Sequence, residues 1–188
     1  YIKSTEIITV RSTPDNSHVE AYANSHVVAH ANSNVEARAN SHVEAYENSH
    51  VVAHANSHVV ARDNSRVVAY ANSHVEAYEN SHVVAYDNSR VVAYDNSRVV
   101  AYANSHVVAH ANSHVVARGN SRIKSMDFAT VIVYSLSAVI EAAKLHSTIF
   151  FRTEKCKILK KDKSVNVIDQ TKCELKYTKK DFIDLCER

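Results

Sequence analysis

The chain is predicted to be all-β: a parallel β-solenoid of octapeptide repeats, two octads to a coil, with a small α+β segment capping its C-terminal end. Three observations carry that expectation. A unit opening with Asn-Ser recurs fourteen times, from Asn16 at every eighth position to Asn120. Within each unit, small or apolar residues alternate with bulky or polar ones, the period-two signature of a strand with one buried face. The Asn-Ser pair between strands suits a corner, because both side chains bond nearby backbone and Asn tolerates left-handed geometry.

The lead-in comes first. Residues 1–15 include "STEIITVRSTPD", which has strand composition, and Pro14 stops it just before the first octad.

The octads occupy 16–143. With Asn as position one, position two is always Ser, position four is Val except for Ile123 in the last copy, and position six is Ala except for Ser125. Positions three, five, seven and eight vary: His, Arg or Asn; Val, Glu or Lys; Tyr, His, Arg or Met; and Ala, Asp, Glu or Gly. The invariant even positions therefore point into a narrow interior and the odd ones point out. Stacked octads pair as parallel strands about 4.8 Å apart. Val then lies on Val and Ala on Ala, while Asn lies on Asn with amides able to ladder. A helix needs period 3.6, which eight residues do not satisfy.

Eight-residue periodicity permits two or three octads per coil. Position seven runs Tyr22, His30, Arg38, then Tyr46, His54, Arg62, so three per coil would align Tyr22, Tyr46, Tyr70 and Tyr94. Volume argues for two, since Ser, Val and Ala are too small to fill a triangular prism at native density. A duplication of twenty-four residues would give the triplet without any structural cause. Two per coil is the expectation adopted.

The register runs on through "FATVIVYS" and "LSAVIEAA", which place Val131, Val133 and Val139 at inward positions and Ile132, Tyr134 and Ile140 at outward ones. An apolar outer face calls for a cover, and the tail is the expected one. Within that tail, 144–188, "STIFFR", "KCKILKK" and "SVNVID" read as strands and "KDKS" as a turn. "YTKKDFIDLCER" reads as a short helix, with Thr178 as N-cap, Asp181 three residues on, and Phe182 and Leu185 sharing a face. "AVIEAAKL", Ala138 to Leu145, also reads as a helix, and that alternative stays open.

Several residue sets could carry chemistry. Nine His occupy position three (among them His26, His42, His58 and His74) and three occupy position seven. A ladder of imidazoles could bind zinc or copper or charge in acid. Free exchange of His with Arg and Asn at these positions argues for a structural ladder, so no metal or other cofactor is expected. Tyr22, Tyr46, Tyr70, Tyr78, Tyr86, Tyr94 and Tyr102, with Arg38 and Arg62, form the candidate partner-binding face, since Tyr and Arg are enriched where proteins meet. No GxxxxGK[ST], HExxH, GxSxG or CxxC motif is present, and no catalytic residue or enzyme activity is expected.

Charge bears on partners. The formal net charge is +2, but the octads are mildly acidic and hold twelve of the thirteen His, whereas eleven Lys lie after Ser121. The acids of the repeats could imitate a duplex, and the Lys-rich tail could contact nucleic acid. Cys156, Cys173 and Cys186 all lie in the tail, an odd number that points to a reducing compartment. No apolar run is long enough to span a bilayer, so no membrane is expected.

The run "NSHVEAY" to "NSRVVAYD" resembles octapeptide-repeat β-solenoid proteins of bacteriophage and bacterial mobile elements, over about Asp15 to Asp127. It is similar, more loosely, to pentapeptide-repeat proteins. The resemblance implies architecture, and a cytoplasmic location in a bacterial host, with virion or extracellular placement as alternatives. The expected function is a non-enzymatic binding or assembly module that offers a stiff Tyr/His/Arg/Val face to a protein partner, either a phage-encoded inhibitor of a host system or a structural subunit. Homo-oligomers through faces or ends are a further expectation. Nucleic-acid-directed action, or a surface adhesin or ice-type binder, are the alternatives.

Overall fold

A computed structural model of the chain describes residues 2–4, 9–152 and 156–171. All of its regular structure is β. Strands β1 (Ile2–Ser4) and β2 (Thr9–Val10) precede β3 (His18–Ala21) and β4 (His26–Ala29), and one four-residue strand then follows every eight residues to β16 (Arg122–Ser125). The series ends with β17 (Thr130–Val133), β18 (Val139–Ala143), β19 (Thr148–Phe151), β20 (Lys157–Ile158) and β21 (Asn166–Asp169).

Odd-numbered strands make one parallel sheet of eleven, and even-numbered strands a second parallel sheet of ten. They are called the odd and even sheets below. Each strand pairs with the strand sixteen residues away, Val67 with Val83 and Ala69 with Ala85, so two octads make one coil.

The interior is what the invariant positions dictate. Val and Ala of positions four and six are 0–2% exposed from Val19 to Ala117, and Ser of position two is 0% exposed from Ser25 to Ser121. Two such layers form one continuous thin core. Burying Ser costs little where its hydroxyl finds an acceptor. Ser49, Ser57, Ser65 and Ser73 each donate to the carbonyl three residues back, at 2.6 Å.

Corners explain the Asn. Positions eight and one both lie in the left-handed region, as at Ala71 (φ 49°) and Asn72 (φ 64°). The amide of Ser73 closes the turn on the Tyr70 carbonyl at 3.1 Å. Two successive left-handed residues with that bond form a type I′ turn, which reverses the chain and carries it from one sheet to the other. The ladder does not lapse at the corner, since Asn72 N donates to Asp87 O of the next coil at 3.1 Å. Asn side chains there are exposed, and among the described residues no hydrogen bond joins one Asn amide to another. Their contribution is conformational, not an amide ladder.

At the first coil the Thr13 hydroxyl takes the acceptor role that the position-six carbonyl has in later coils, where Tyr46 N donates to Ala29 O. Thr13 is 4% exposed, its hydroxyl lies 2.8 Å from that of Ser33, and it accepts from His30 N at 3.0 Å.

At the far end one open alternative is settled and two expectations are corrected. Ala138 to Leu145 is not a helix, because β18 pairs with β16 in the even sheet. The expected register also slips there. Ile140 is inward and 0% exposed, while Val139 is half-buried and pairs with Arg122. One extra residue in the corner before Ala138 lengthens the pairing interval from sixteen residues to seventeen, and a bulge at Glu141 lengthens it to eighteen, so that Ala143 pairs with Ser125. The tail strands do not fold over the outer face either. β19 and β21 extend the odd sheet and β20 the even sheet. The proposed terminal helix with Thr178, Asp181, Phe182 and Leu185, and also Cys173 and Cys186, lie outside the described residues.

Candidate functional site

Two outer faces result, each with three columns of side chains one rung apart. The nine predicted partner-face residues do not share one of them. Tyr22, Arg38, Tyr70, Tyr86 and Tyr102 stand in the position-seven column of the odd sheet, and Tyr46, Arg62, Tyr78 and Tyr94 in that of the even sheet. With pairing at sixteen residues, alternate octads face opposite ways, so neighbours in sequence are separated in space.

Within each column the rings stack. His54, Tyr70, Tyr86 and Tyr102 form one run with centroids 4.9–5.1 Å apart and planes 8° from parallel. Arg118 carries it on, its guanidinium 5.8 Å from the Tyr102 ring and 5.1 Å from that of Tyr134. In the even sheet Tyr78, Tyr94 and His110 stack likewise, with Arg62 4.9 Å from the Tyr78 ring. Ring faces are thus used within the column.

The predicted His ladder is present on the even sheet, where His26, His42, His58 and His74 stack at 4.9 Å. Burial, then the charge of neighbouring His, lowers the pKa of His42 and of His58. Among the described residues no group of three or more His, Cys, Asp or Glu is placed to hold a metal ion. No helix there is long and apolar enough to cross a membrane.

Three features became visible only with the column assignment. First, the central odd-sheet column is apolar for eight rungs: Val52, Val68, Val84, Val100, Val116, Ile132, Phe150 and Ile168, all half-buried. At about 4.8 Å per rung the stripe is about 34 Å long. Glu20 and Glu36 precede it in the same column.

Second, each outward Glu of position five is tied to position seven of its own octad. Tyr22, Tyr46 and Tyr78 hydroxyls donate to Glu20, Glu44 and Glu76 at 3.1, 2.9 and 3.0 Å, and Arg38 Nε to Glu36 at 2.9 Å. Burial, then the bond to Glu, raises the pKa of Tyr46 and of Tyr78. The sequence does carry this signal, since every Glu-Ala from Asn16 to Asp127 is followed by Tyr or Arg.

Third, charge is sorted along the rod. Residues 9–88 hold nine acids against four Arg, and residues 89–171 twelve Lys and Arg against six acids. On the even sheet the basic half presents Arg90, Arg122 and Lys124 around a groove of about 270 Å³. Glu141 lies within it, 3.7 Å from Arg122 and 3.8 Å from Lys124.

No protein-family model, curated protein or solved structure matches the chain.

Proposed function

We propose that the chain is a non-enzymatic binding module whose working surface is the outer face of the odd sheet. The apolar stripe from Val52 to Ile168 carries this reading. It has a Tyr-rich column on one side and a His/Arg column on the other, the composition that favours protein contact over contact with nucleic acid or water. Stacked rings on hydrogen-bonded rungs have little side-chain freedom left to lose on association. The surface is the continuous face of an eleven-stranded sheet, which suits a broad protein partner better than a small substrate.

The test is affinity capture with three forms of the full chain: wild type, Val84→Glu on the odd face and Val92→Glu on the even face. Glu already occupies the same octad position at 20, 36, 44 and 76, so both variants should fold. The reading expects one stoichiometric protein partner that Val84→Glu loses and Val92→Glu retains. Equal capture by both variants overturns it.

One observation favours a second reading. The basic half of the even sheet would attract a phosphate backbone. Salt-dependent DNA binding that Arg122→Ala and Lys124→Ala weaken would favour it, and no binding at low salt would dismiss it.

A further inference from the structure

We infer that the odd-sheet face pairs with the same face of a second copy, the two rods antiparallel about a two-fold axis between the Val100 and Val116 rungs. This rests on the reading of that face as a protein-binding surface and names the partner.

The argument is one of matching columns. A two-fold axis along the strand direction keeps each column opposite itself and reverses the order of rungs. With the axis between Val100 and Val116, those two residues oppose one another across the interface, and Val52 opposes Ile168. All eight apolar rungs are then covered, with none left over. In the position-seven column Tyr102 faces Arg118 of the second copy and Tyr70 faces its Arg152, so each Arg meets a Tyr. In the position-three column Arg98 faces His114 and Arg66 faces Thr148, and no Arg meets an Arg.

Other registers fail on charge or on cover: centring between Val116 and Ile132 opposes no like charges but covers only six of the eight apolar rungs. Centring on Val100 sets Arg98 against Arg98, and centring on Val116 sets Arg118 against Arg118. A shift to between Val84 and Val100 opposes Arg38 to Arg152 and puts Glu36 on Phe150. Parallel rods oppose Glu36 to Glu36. Like charges face to face across strands are destabilising. In the favoured register Glu20 and Glu36 lie beyond the overlap.

Area is consistent. Eight rungs of about 4.8 Å and a width of five residues at about 3.3 Å cover roughly 600 Å² on each copy, or about 1,200 Å² in all. That reaches the lower bound of a specific interface.

The experiment is sedimentation equilibrium on the full chain. Wild type should be a dimer, twice the 20.9 kDa chain. Val100→Glu should raise the dimer dissociation constant at least about tenfold, and Val92→Glu should leave it unchanged. Orientation is read from a Tyr86→Cys/Tyr134→Cys variant, since those positions oppose one another only in this register. Because sheets packed face to face lie about 10 Å apart, out of disulfide reach, a bis-maleimide crosslinker of about that span should yield an intermolecular 86–134 link on peptide mapping. A monomeric wild type, a Val100→Glu variant that dimerises as wild type does, or a dimer without the 86–134 link would each overturn the inference. A monomer whose capture of another protein is lost with Val84→Glu overturns self-pairing alone. Failure of both assays overturns the binding surface itself.

Discussion

His42 and His58 stack face to face on the even sheet, their ring centroids 4.9 Å apart and their planes 8° from parallel. Burial and the neighbouring imidazoles hold the pKa of both below the ordinary 6.5, while Glu44 and Glu76 in the adjacent column pull the other way on His42. A folded-state pKa below the unfolded one means that the unfolded chain binds more protons as pH falls through about 6.5. Stability should therefore be level above neutrality and fall from about pH 7 downward, until the folded-state His are themselves protonated. Thermal unfolding from pH 8 to 5 should show a falling midpoint. His58→Asn, a residue already tolerated at Asn34, should make the fall shallower, and an unchanged slope would show that the ladder is not the cause.

Inside and outside can be compared within a single coil. Val67 is 1% exposed, and Tyr70 is half-buried three residues on. Val67→Asp places a carboxylate in a core with no partner for it and should abolish cooperative unfolding. Val67→Ala should cost about 1–3 kcal/mol through the cavity it leaves. Tyr70→Ser forfeits two stacking contacts, with His54 and Tyr86, and should cost about 1–2 kcal/mol with the circular dichroism spectrum unchanged. Equal losses for Val67→Asp and Tyr70→Ser would contradict the burial assignment.

Ser73 and Ser81 are both 0% exposed, but only one is satisfied. Ser73 Oγ donates to Tyr70 O at 2.6 Å, whereas Ser81 Oγ has no hydrogen-bond partner. Ser73→Ala should lose about 0.5–1.5 kcal/mol and Ser81→Ala should be neutral or stabilising, because an unmet buried hydroxyl is itself a cost. Denaturant midpoints of the two variants decide the point, and a larger loss at Ser81 would refute the difference.

At the corners, Ala71 adopts φ 49° and Asn72 φ 64°. A left-handed Ala costs about 1–2 kcal/mol, and Gly avoids that while adding about 0.4–1 kcal/mol of unfolded-state entropy. Ala71→Gly should thus raise stability by up to about 1 kcal/mol, and Asn72→Val should lower it by about 1–3 kcal/mol. Gly119, at φ 54°, shows the substitution already in use. Destabilisation by Ala71→Gly in urea unfolding would mean that the corner Cβ makes a contact worth more than the strain.

Much of the architecture was legible in the octad. Val67, Ala69 and Ser73 are inward because a strand alternates its side chains, and Asn72 stands where only a residue at ease in left-handed geometry is cheap. These are properties of consecutive residues, so a single copy of the repeat suffices to state them. The rule broke at Val139 and Ile140, where one added corner residue and one bulged residue changed the phase. Insertions are invisible to a pattern that assumes constant length.

Two octads per coil, favoured by the small volumes of Ser, Val and Ala, is borne out by the pairing at sixteen residues; what only the tertiary structure decided is the corner geometry that enforces it. The period of eight is the same for two or three strands per coil. The choice depends on how far the left-handed pair at each corner turns the chain, and two residues closed by the Ser73 to Tyr70 bond reverse it fully. From that half-turn comes the sixteen-residue partner rule. It divides the Tyr residues between opposite faces and collects Val52 to Ile168 into one stripe. It also brings His42 onto His58, because side chains distant along the chain meet only where the backbone ladder brings their rungs together.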